Sequence, residues 1–154
     1  TTNSGMAYTI TGSMAGFSFG AGLETVEGSN NNAAKSNGND EESVTGYIKY
    51  ANGPITVGYQ EAYQNTLDGG RDLEAQMMGV AYTAGDITLS YSEQTLTKSE
   101  TSDTVAIDVD LESLQLAYSM GAMTISAGMN ETSNAQGTSG KTYEENELQV
   151  SFAF

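Results

Sequence analysis

Apolar and polar residues alternate along most of this chain. The alternation is clearest at the C-terminus, where Leu148, Val150, Phe152 and Phe154 are separated by Gln149, Ser151 and Ala153. A period of two places one side of a β-strand in an apolar medium and the other against water or tight packing. The pattern predicts about nine strands, near 5–12, 17–27, 44–51, 55–64, 73–83, 87–97, 105–119, 123–131 and 143–154. A soluble edge strand is the alternative interpretation of the last segment.

The segments between these strands alternate strictly between short and long. Glycine-containing turns near 13–16, 52–54, 84–86 and 120–122 have the composition of β-hairpin loops. Longer polar segments lie between them, near 28–43, 65–72, 98–104 and 132–142. Transmembrane β-barrels have short periplasmic turns and long extracellular loops. A soluble sandwich has no physical reason to place all its long loops at one end, so we expect a transmembrane β-barrel with its long segments extracellular.

The alternation also assigns the two faces of the predicted strands. Toward lipid we place Phe17, Phe19, Ala21, Leu23, Ile48, Tyr50, Ile55, Val57, Tyr59, Met78, Val80, Tyr82, Ile87, Leu89, Tyr91, Leu114, Leu116, Tyr118, Met123, Ile125, Met129, Leu148, Val150, Phe152 and Phe154. The opposite face holds Ser18, Lys49, Gln60, Ser90, Asp108, Asp110, Gln115, Ser126, Glu145, Glu147, Gln149 and Ser151. Unpaired charges are costly in a packed core but are solvated in a water-filled lumen. The charged members, Lys49, Asp108, Asp110, Glu145 and Glu147, are therefore our pore-lining candidates.

One change of phase interrupts this pattern. Val105, Ile107, Val109 and Leu111 occupy odd positions, whereas Leu114, Leu116 and Tyr118 occupy even ones. We predict a one-residue β-bulge within 111–114, which keeps both sets on the lipid face. Two separate strands are the alternative, but no turn residues intervene.

Composition excludes several classes of protein. The 154 residues include 18 Gly and one Pro, and 38% are hydrophobic, as in a barrel with one wet face. No run approaches the roughly 18 apolar residues of a membrane helix. The chain has no Cys and no His, and so lacks thiol catalysis, Cys-ligated zinc and the commonest general base. Its net charge of −15 argues against nucleic acid as a partner. We expect no enzyme and no cofactor.

The acidic clusters are explained more simply as fixed charges than as reactive or metal sites. Asp40, Glu41 and Glu42 follow Asn37-Gly38-Asn39 and have the oxygen density of a calcium loop, but the spacing fits no defined calcium motif. A solvated acidic loop is the simpler interpretation. Carboxylates at 108 and 110, and at 145 and 147, would need a cleft to act as catalytic acids. In a wet lumen they attract cations, so we expect no catalytic residue.

Aromatic residues mark the short-turn side of the predicted sheet. Tyr50, Tyr82 and Tyr118 each stand just before a short turn, and Phe152 and Phe154 end the chain. Aromatic side chains form girdles where hydrocarbon meets headgroups. We therefore assign these five residues to the membrane interface. Stacking on sugars is the alternative role of the three tyrosines.

The hairpin repeats around these tyrosines, together with the terminal strand Gln149-Val-Ser-Phe-Ala-Phe154, resemble Gram-negative outer-membrane general-diffusion porins, in the style of those of alphaproteobacteria. The resemblance implies an outer-membrane channel for passive diffusion of small hydrophilic solutes and ions. It also implies a barrel of about 16 strands, a homotrimer, and contact with the lipid bilayer and lipopolysaccharide. Here no segment is assigned as the inward-folded constriction loop of that family.

Two questions about the whole protein stay open at this point. Porins of that family are about twice as long, so residues 1–154 are expected to be one β-barrel domain, the C-terminal half of a porin. Alternatively, residues 5–12 do not span and the other eight strands close as a small barrel. The alternative function is a surface-exposed barrel or secreted β-sandwich, an adhesin or phage or host receptor acting through its long loops. For a pore, the excess of carboxylates over Lys49 predicts weak cation selectivity, with Arg71 the only arginine in the chain.

Overall fold

The computed structural model describes residues 4–27, 40–65, 72–99 and 106–153. Nine strands lie in these ranges: β1 (Gly5–Met14), β2 (Phe17–Val26), β3 (Glu41–Asn52), β4 (Ile55–Gln64), β5 (Leu73–Ala84), β6 (Ile87–Lys98), β7 (Val109–Met120), β8 (Met123–Ser133) and β9 (Tyr143–Phe152). A 3-10 turn, Ala135–Gly137, lies between β8 and β9. Among the described residues, no helix is long and apolar enough to cross a membrane.

All nine strands form one antiparallel sheet in which each pairs with its neighbours in the sequence. The all-β antiparallel fold and the nine strands expected from alternation are thereby confirmed, with ends within four residues of the prediction. β1 pairs with β2 over its whole length, and β2 pairs with β3 on its other side. The eight-strand alternative, in which residues 5–12 stand outside the sheet, is therefore wrong.

Two-residue turns join the strands on one side of the sheet, at the places predicted. Gly53, Gly85 and Gly121 have φ of 56°, 59° and 59°, and each is the first residue of its turn, where type II′ hairpins need glycine. The first turn differs, because Ala15 and Gly16 both have positive φ, 51° and 85°. That is the backbone pattern of a type I′ turn.

Successive hairpins are displaced by two residues toward this turn side. Phe17, the first residue after the first turn, lies opposite Tyr50, and β3 continues two residues further to Asn52. The displacement recurs at the next hairpins, where Ile55 lies opposite Tyr82 and Ile87 opposite Tyr118. Tilted, staggered strands are what closure of a sheet into a barrel requires.

The sheet has no packed core on either side. In the part of the chain that the structure describes, Ala135 is the only buried apolar residue, and no large side chain is fully buried. Apolar side chains such as Met14 and Leu148 are 75% and 74% exposed. A soluble sandwich gains its stability by burying such side chains between two sheets. Because the apolar side chains of this single sheet are exposed, the sheet needs an apolar medium around them instead.

The predicted bulge in β7 is absent. From Val109 to Met120, β7 keeps one uninterrupted register against β6 and β8. Without an extra residue, Asp110 points to the same side as Leu114, and Val109 and Leu111 point to the side of Gln115. The change of phase in the sequence therefore means that, in the first part of β7, the apolar residues lie on the face of Gln115 and the acidic residue lies on the face of Leu114.

Candidate pore wall

Cross-strand pairing separates the sheet into an apolar face and a polar face. The apolar face joins pairs such as Phe19 with Ile48, Val57 with Val80 and Leu89 with Leu116. The polar face joins Ser18 with Lys49, Ser90 with Gln115 and Ser126 with Gln149. Every described residue that we assigned to lipid lies on the apolar face, because each is an even number of residues from these pairs. Phe154 lies outside the described residues.

Three of the five predicted pore-lining residues lie on the polar face. Lys49 lies opposite Gly58, while Glu145 and Glu147 lie opposite Asn130 and Gly128. Lys49 is exposed, as are both glutamates. Lys49 and the two glutamates lie on strands β3 and β9, six strands apart and therefore about 29 Å apart along the sheet.

Asp108 and Asp110 lie elsewhere, and the reason is the missing bulge. Asp110 shares the apolar face with Leu114, close to the end of β7 that faces the long segments. The carboxylate of Asp110 accepts a hydrogen bond of 2.7 Å from Thr95 Oγ1, and that of Asp108 accepts one of 2.7 Å from Thr97 Oγ1. Both threonines belong to β6 and lie an even number of residues from Leu89, so they are on the apolar face. We therefore do not retain this pair among the proposed pore-lining residues.

The polar face carries three further charges that our sequence reasoning missed. Glu24 lies opposite Ser43, Glu41 opposite Val26, and Lys98 opposite Leu73. Counting from the nearest apolar residue, Leu23 for Glu24 and Val44 for Glu41, would have found the first two. The rule fails for Lys98, because its nearest apolar neighbour, Leu96, itself lies on the polar face. They were overlooked because each lies at the end of its strand, beyond the clearest alternation.

The turn-side aromatic residues occupy equivalent places in their hairpins. Tyr50, Tyr82 and Tyr118 lie opposite the first residue after the preceding turn, and Phe152 does the same opposite Met123. All four lie on the apolar face. The ring of Tyr50 also packs against that of Phe17, with centroids 4.4 Å apart. This geometry suits an interfacial girdle, as the sequence predicts.

A second set of tyrosines lies on the apolar face toward the long segments. Tyr59 Oη donates to Glu61 at 3.1 Å, Tyr91 Oη to Glu93 at 2.6 Å, and Tyr63 Oη to Asp72 at 2.8 Å. Each phenol points away from the apolar band toward a carboxylate. The sequence signal is Tyr-x-Glu at 59–61 and 91–93, since residues two apart in a strand share a face.

Beyond these tyrosines the apolar face becomes acidic. Glu93, Glu112, Glu131 and Glu144 are direct cross-strand neighbours on β6, β7, β8 and β9. Like charges directly opposite each other destabilise a sheet. The change from apolar to acidic residues marks where this face leaves an apolar medium for a polar one.

The three calcium candidates do not converge. Glu41 lies opposite Val26 and Glu42 opposite Thr25, so these adjacent side chains point to opposite faces. Asp40 precedes β3, and residues 37–39 lie outside the described residues. Within the described ranges, no group of three or more Asp, Glu, Cys or His residues could hold a metal ion.

Solved structures share this architecture at low sequence identity. Pseudomonas aeruginosa OccK5 (OpdH) superposes with a TM-score of 0.68 at 12% identity, over 99% of this chain and 51% of that one. Pseudomonas aeruginosa OccK9 (OpdG) superposes with a TM-score of 0.69 at 12% identity, over 97% of this chain and 46% of that one. The chain thus spans about half the length of both structures. No curated protein sequence matches it.

A family comparison goes further than the shared fold. The sequence profile of the Gram-negative porins matches residues 1–153, nearly the entire chain. An apolar face bordered by aromatic residues, with a polar face behind it, is the arrangement of a transmembrane β-barrel wall. The chain belongs to the Gram-negative porin family, and its location is the outer membrane.

Proposed function

We propose that the protein forms a water-filled channel for passive diffusion of small hydrophilic solutes and ions across the outer membrane. One observation carries the proposal: a continuous nine-stranded sheet has one apolar and one polar face and, among the residues described, no packed core. An apolar face against lipid leaves the polar face to line an aqueous space. No catalytic role is proposed, because the chain has no His or Cys and its carboxylates have a simpler role as fixed charges.

We further propose that residues 1–154 are one barrel domain, the C-terminal portion of a longer porin. The open edges of the sheet support this, since unpaired backbone groups cannot face lipid. β1 and β9 run in the same direction, because both are odd members of an antiparallel series. Closing the sheet with antiparallel pairs alone therefore takes an odd number of further strands. About seven would give a barrel of about 16.

The proposed partners are lipopolysaccharide and two further copies of the protein. Lipopolysaccharide contact is supported by the glutamate row on the apolar face at the long-segment side, where divalent cations would link carboxylates to lipid phosphates. The homotrimer rests on the family resemblance. Cross-linking in outer-membrane vesicles would test it, with a trimer expected and a monomer contradicting it.

Conductance in planar bilayers tests the channel directly. Purified protein should give stepwise current increases in KCl, and its migration in SDS gels should change on heating, because a folded barrel resists the detergent until it is heated. Heat-modifiable migration without conductance would indicate a plugged barrel that acts through its long loops, as a phage or host receptor would. Migration unaffected by heating would contradict the barrel itself.

A further inference from the structure

Two glycines face each other in the middle of the polar face without a structural need for either. Gly58 of β4 and Gly79 of β5 are direct cross-strand partners, and neither has positive φ. A Cβ on Gly58 would meet no atom closer than 3.8 Å, and on Gly79 none closer than 3.5 Å. At Gly20, by contrast, a Cβ would lie 2.4 Å from the ring of Tyr47.

Glycine within a strand weakens the strand, because it is flexible and has no side chain to pack. A glycine that neither a turn nor a tight contact requires often marks a place where another group approaches the backbone. The pair at 58 and 79 meets that description.

The glycine pair forms the floor of a shallow, open cavity of about 270 Å³ on the polar face. Its walls come from two adjacent cross-strand rows. One row runs Lys49–Gly58–Gly79–Ser92, and the other runs Tyr47–Gln60–Met77. The cavity therefore has a cation at one end, an aromatic ring and an amide along one side, and bare backbone beneath.

Tyr47 supplies a flat apolar wall. Three of its ring atoms lie within 3.2 Å of where a Cβ on Gly20 would be, so the ring occupies space that only a glycine at position 20 leaves open. Tyr47 is still 41% exposed. Its exposed part presents a surface on which a planar or cyclic solute can stack.

Lys49 makes the cavity locally positive. Among the described residues, no hydrogen-bond or ion-pair partner of its ammonium group is present. Glu24 lies six residues along β2 from Ser18, the partner of Lys49, which is about 20 Å. Glu145 and Glu147 lie six strands away, about 29 Å along the sheet. These distances exceed the Debye length of about 8 Å at physiological salt, so the acidic residues do not neutralise Lys49.

We propose that this cavity is a solute-binding subsite of the channel wall for small ring-bearing organic anions. The ring lies against Tyr47 and over the glycine floor, and the anionic group lies at the Lys49 ammonium. The proposal rests on the proposed channel function and adds a solute class to it. It also explains why two paired glycines stand where alanine would fit.

The test uses benzoate as the probe and benzyl alcohol as its neutral counterpart. Benzoate should cause brief closures of the open channel in planar bilayers, and benzyl alcohol should cause far fewer. Lys49→Gln should weaken benzoate binding about three- to tenfold, as loss of one partly solvated charge contact does. Its matched control is Lys98→Gln, at the end of β6 and outside the cavity, which should leave benzoate binding unchanged.

A second pair of variants separates binding from folding. Gly58→Ala adds a methyl group to the cavity floor, so benzoate binding should weaken while the urea midpoint of unfolding stays equal or rises. Gly128→Ala is the control, because Gly128 is also on the polar face and a Cβ there meets nothing closer than 3.7 Å. It should have the same effect on stability and none on binding.

Saturation-transfer NMR of benzoate with detergent-solubilised protein reports binding whether or not the protein conducts. A protein that conducts but gives neither closures nor saturation transfer would overturn the subsite and leave the channel intact. Equal weakening of benzoate binding by Lys49→Gln and Lys98→Gln would also overturn the subsite, since the overall electrostatic field of the protein would then explain the effect. Binding at Lys49 without any conductance would support the subsite and contradict the diffusion channel.

Discussion

At the scale of single residues, charge decides what the polar face admits. The strands described carry four carboxylates on that face, at Glu24, Glu41, Glu145 and Glu147, against two ammonium groups, at Lys49 and Lys98. Fixed charges in a narrow aqueous space concentrate counter-ions and exclude co-ions. Weak cation selectivity therefore stays our prediction, although Asp108 and Asp110 no longer contribute to it.

The two carboxylate pairs provide matched variants for this prediction. Glu145→Gln combined with Glu147→Gln should move the reversal potential in a KCl gradient toward zero, more strongly at low salt, where screening is weaker. Asp108→Asn combined with Asp110→Asn should leave it unchanged, because these side chains lie on or beside the opposite face. An equal shift from both double variants would contradict our assignment of faces.

The misplacement of Asp108 and Asp110 shows where residue-level inference from sequence ends. Alternation places apolar residues against lipid, and Val109 and Leu111 fit that rule only if β7 contains a bulge. In the structure Val109 instead lies opposite Leu96 on the polar face, and Leu96 lies opposite Ala75. The polar face thus has a small apolar patch of its own, which a rule based on residue type cannot anticipate.

At the scale of strands and turns, most of the fold follows from the sequence. Alternation predicts each strand, because residues two apart share a face, and glycine at 16, 53, 85 and 121 predicts the four tight turns. Strand ends were less predictable, since Glu41 and Glu42 extend β3 beyond its apolar residues. The Tyr47–Lys49 cavity could not be predicted, because it depends on register across four strands.

The glutamate row gives a prediction about strand pairing. Glu112 lies between Glu93 and Glu131, so Glu112→Gln removes repulsion on both sides. It should raise the free energy of unfolding in lipid vesicles by about 0.5 kcal/mol at low salt, and by less in 1 M KCl. Urea titration measures both values.

Glu74→Gln is the control for that experiment. Glu74 lies opposite Tyr63 and Thr97, which carry no charge at neutral pH, so its replacement relieves no direct like-charge pair. A stabilisation equal to that of Glu112→Gln would show that net charge, and not the row, is responsible.

At the scale of the whole molecule, the sidedness of the sheet fixes its orientation. Short turns lie at one end and longer connections at the other, and outer-membrane barrels keep the short turns in the periplasm. Ser139→Cys, in the exposed connection before β9, should be labelled on intact cells by a membrane-impermeant thiol reagent. Asn52→Cys, beside a short turn, should be labelled only after the outer membrane is permeabilised. The reverse pattern would invert the orientation.

The central claim is that the polar face lines a water-filled pore while the apolar face meets lipid. Single cysteines along β6 test it most directly, because the chain has no cysteine of its own. A charged, membrane-impermeant thiol reagent should change single-channel current at Ser90→Cys and Ser92→Cys, and should have no effect at Leu89→Cys and Tyr91→Cys. Current changes at the apolar positions, or equal changes at all four, would contradict the claim.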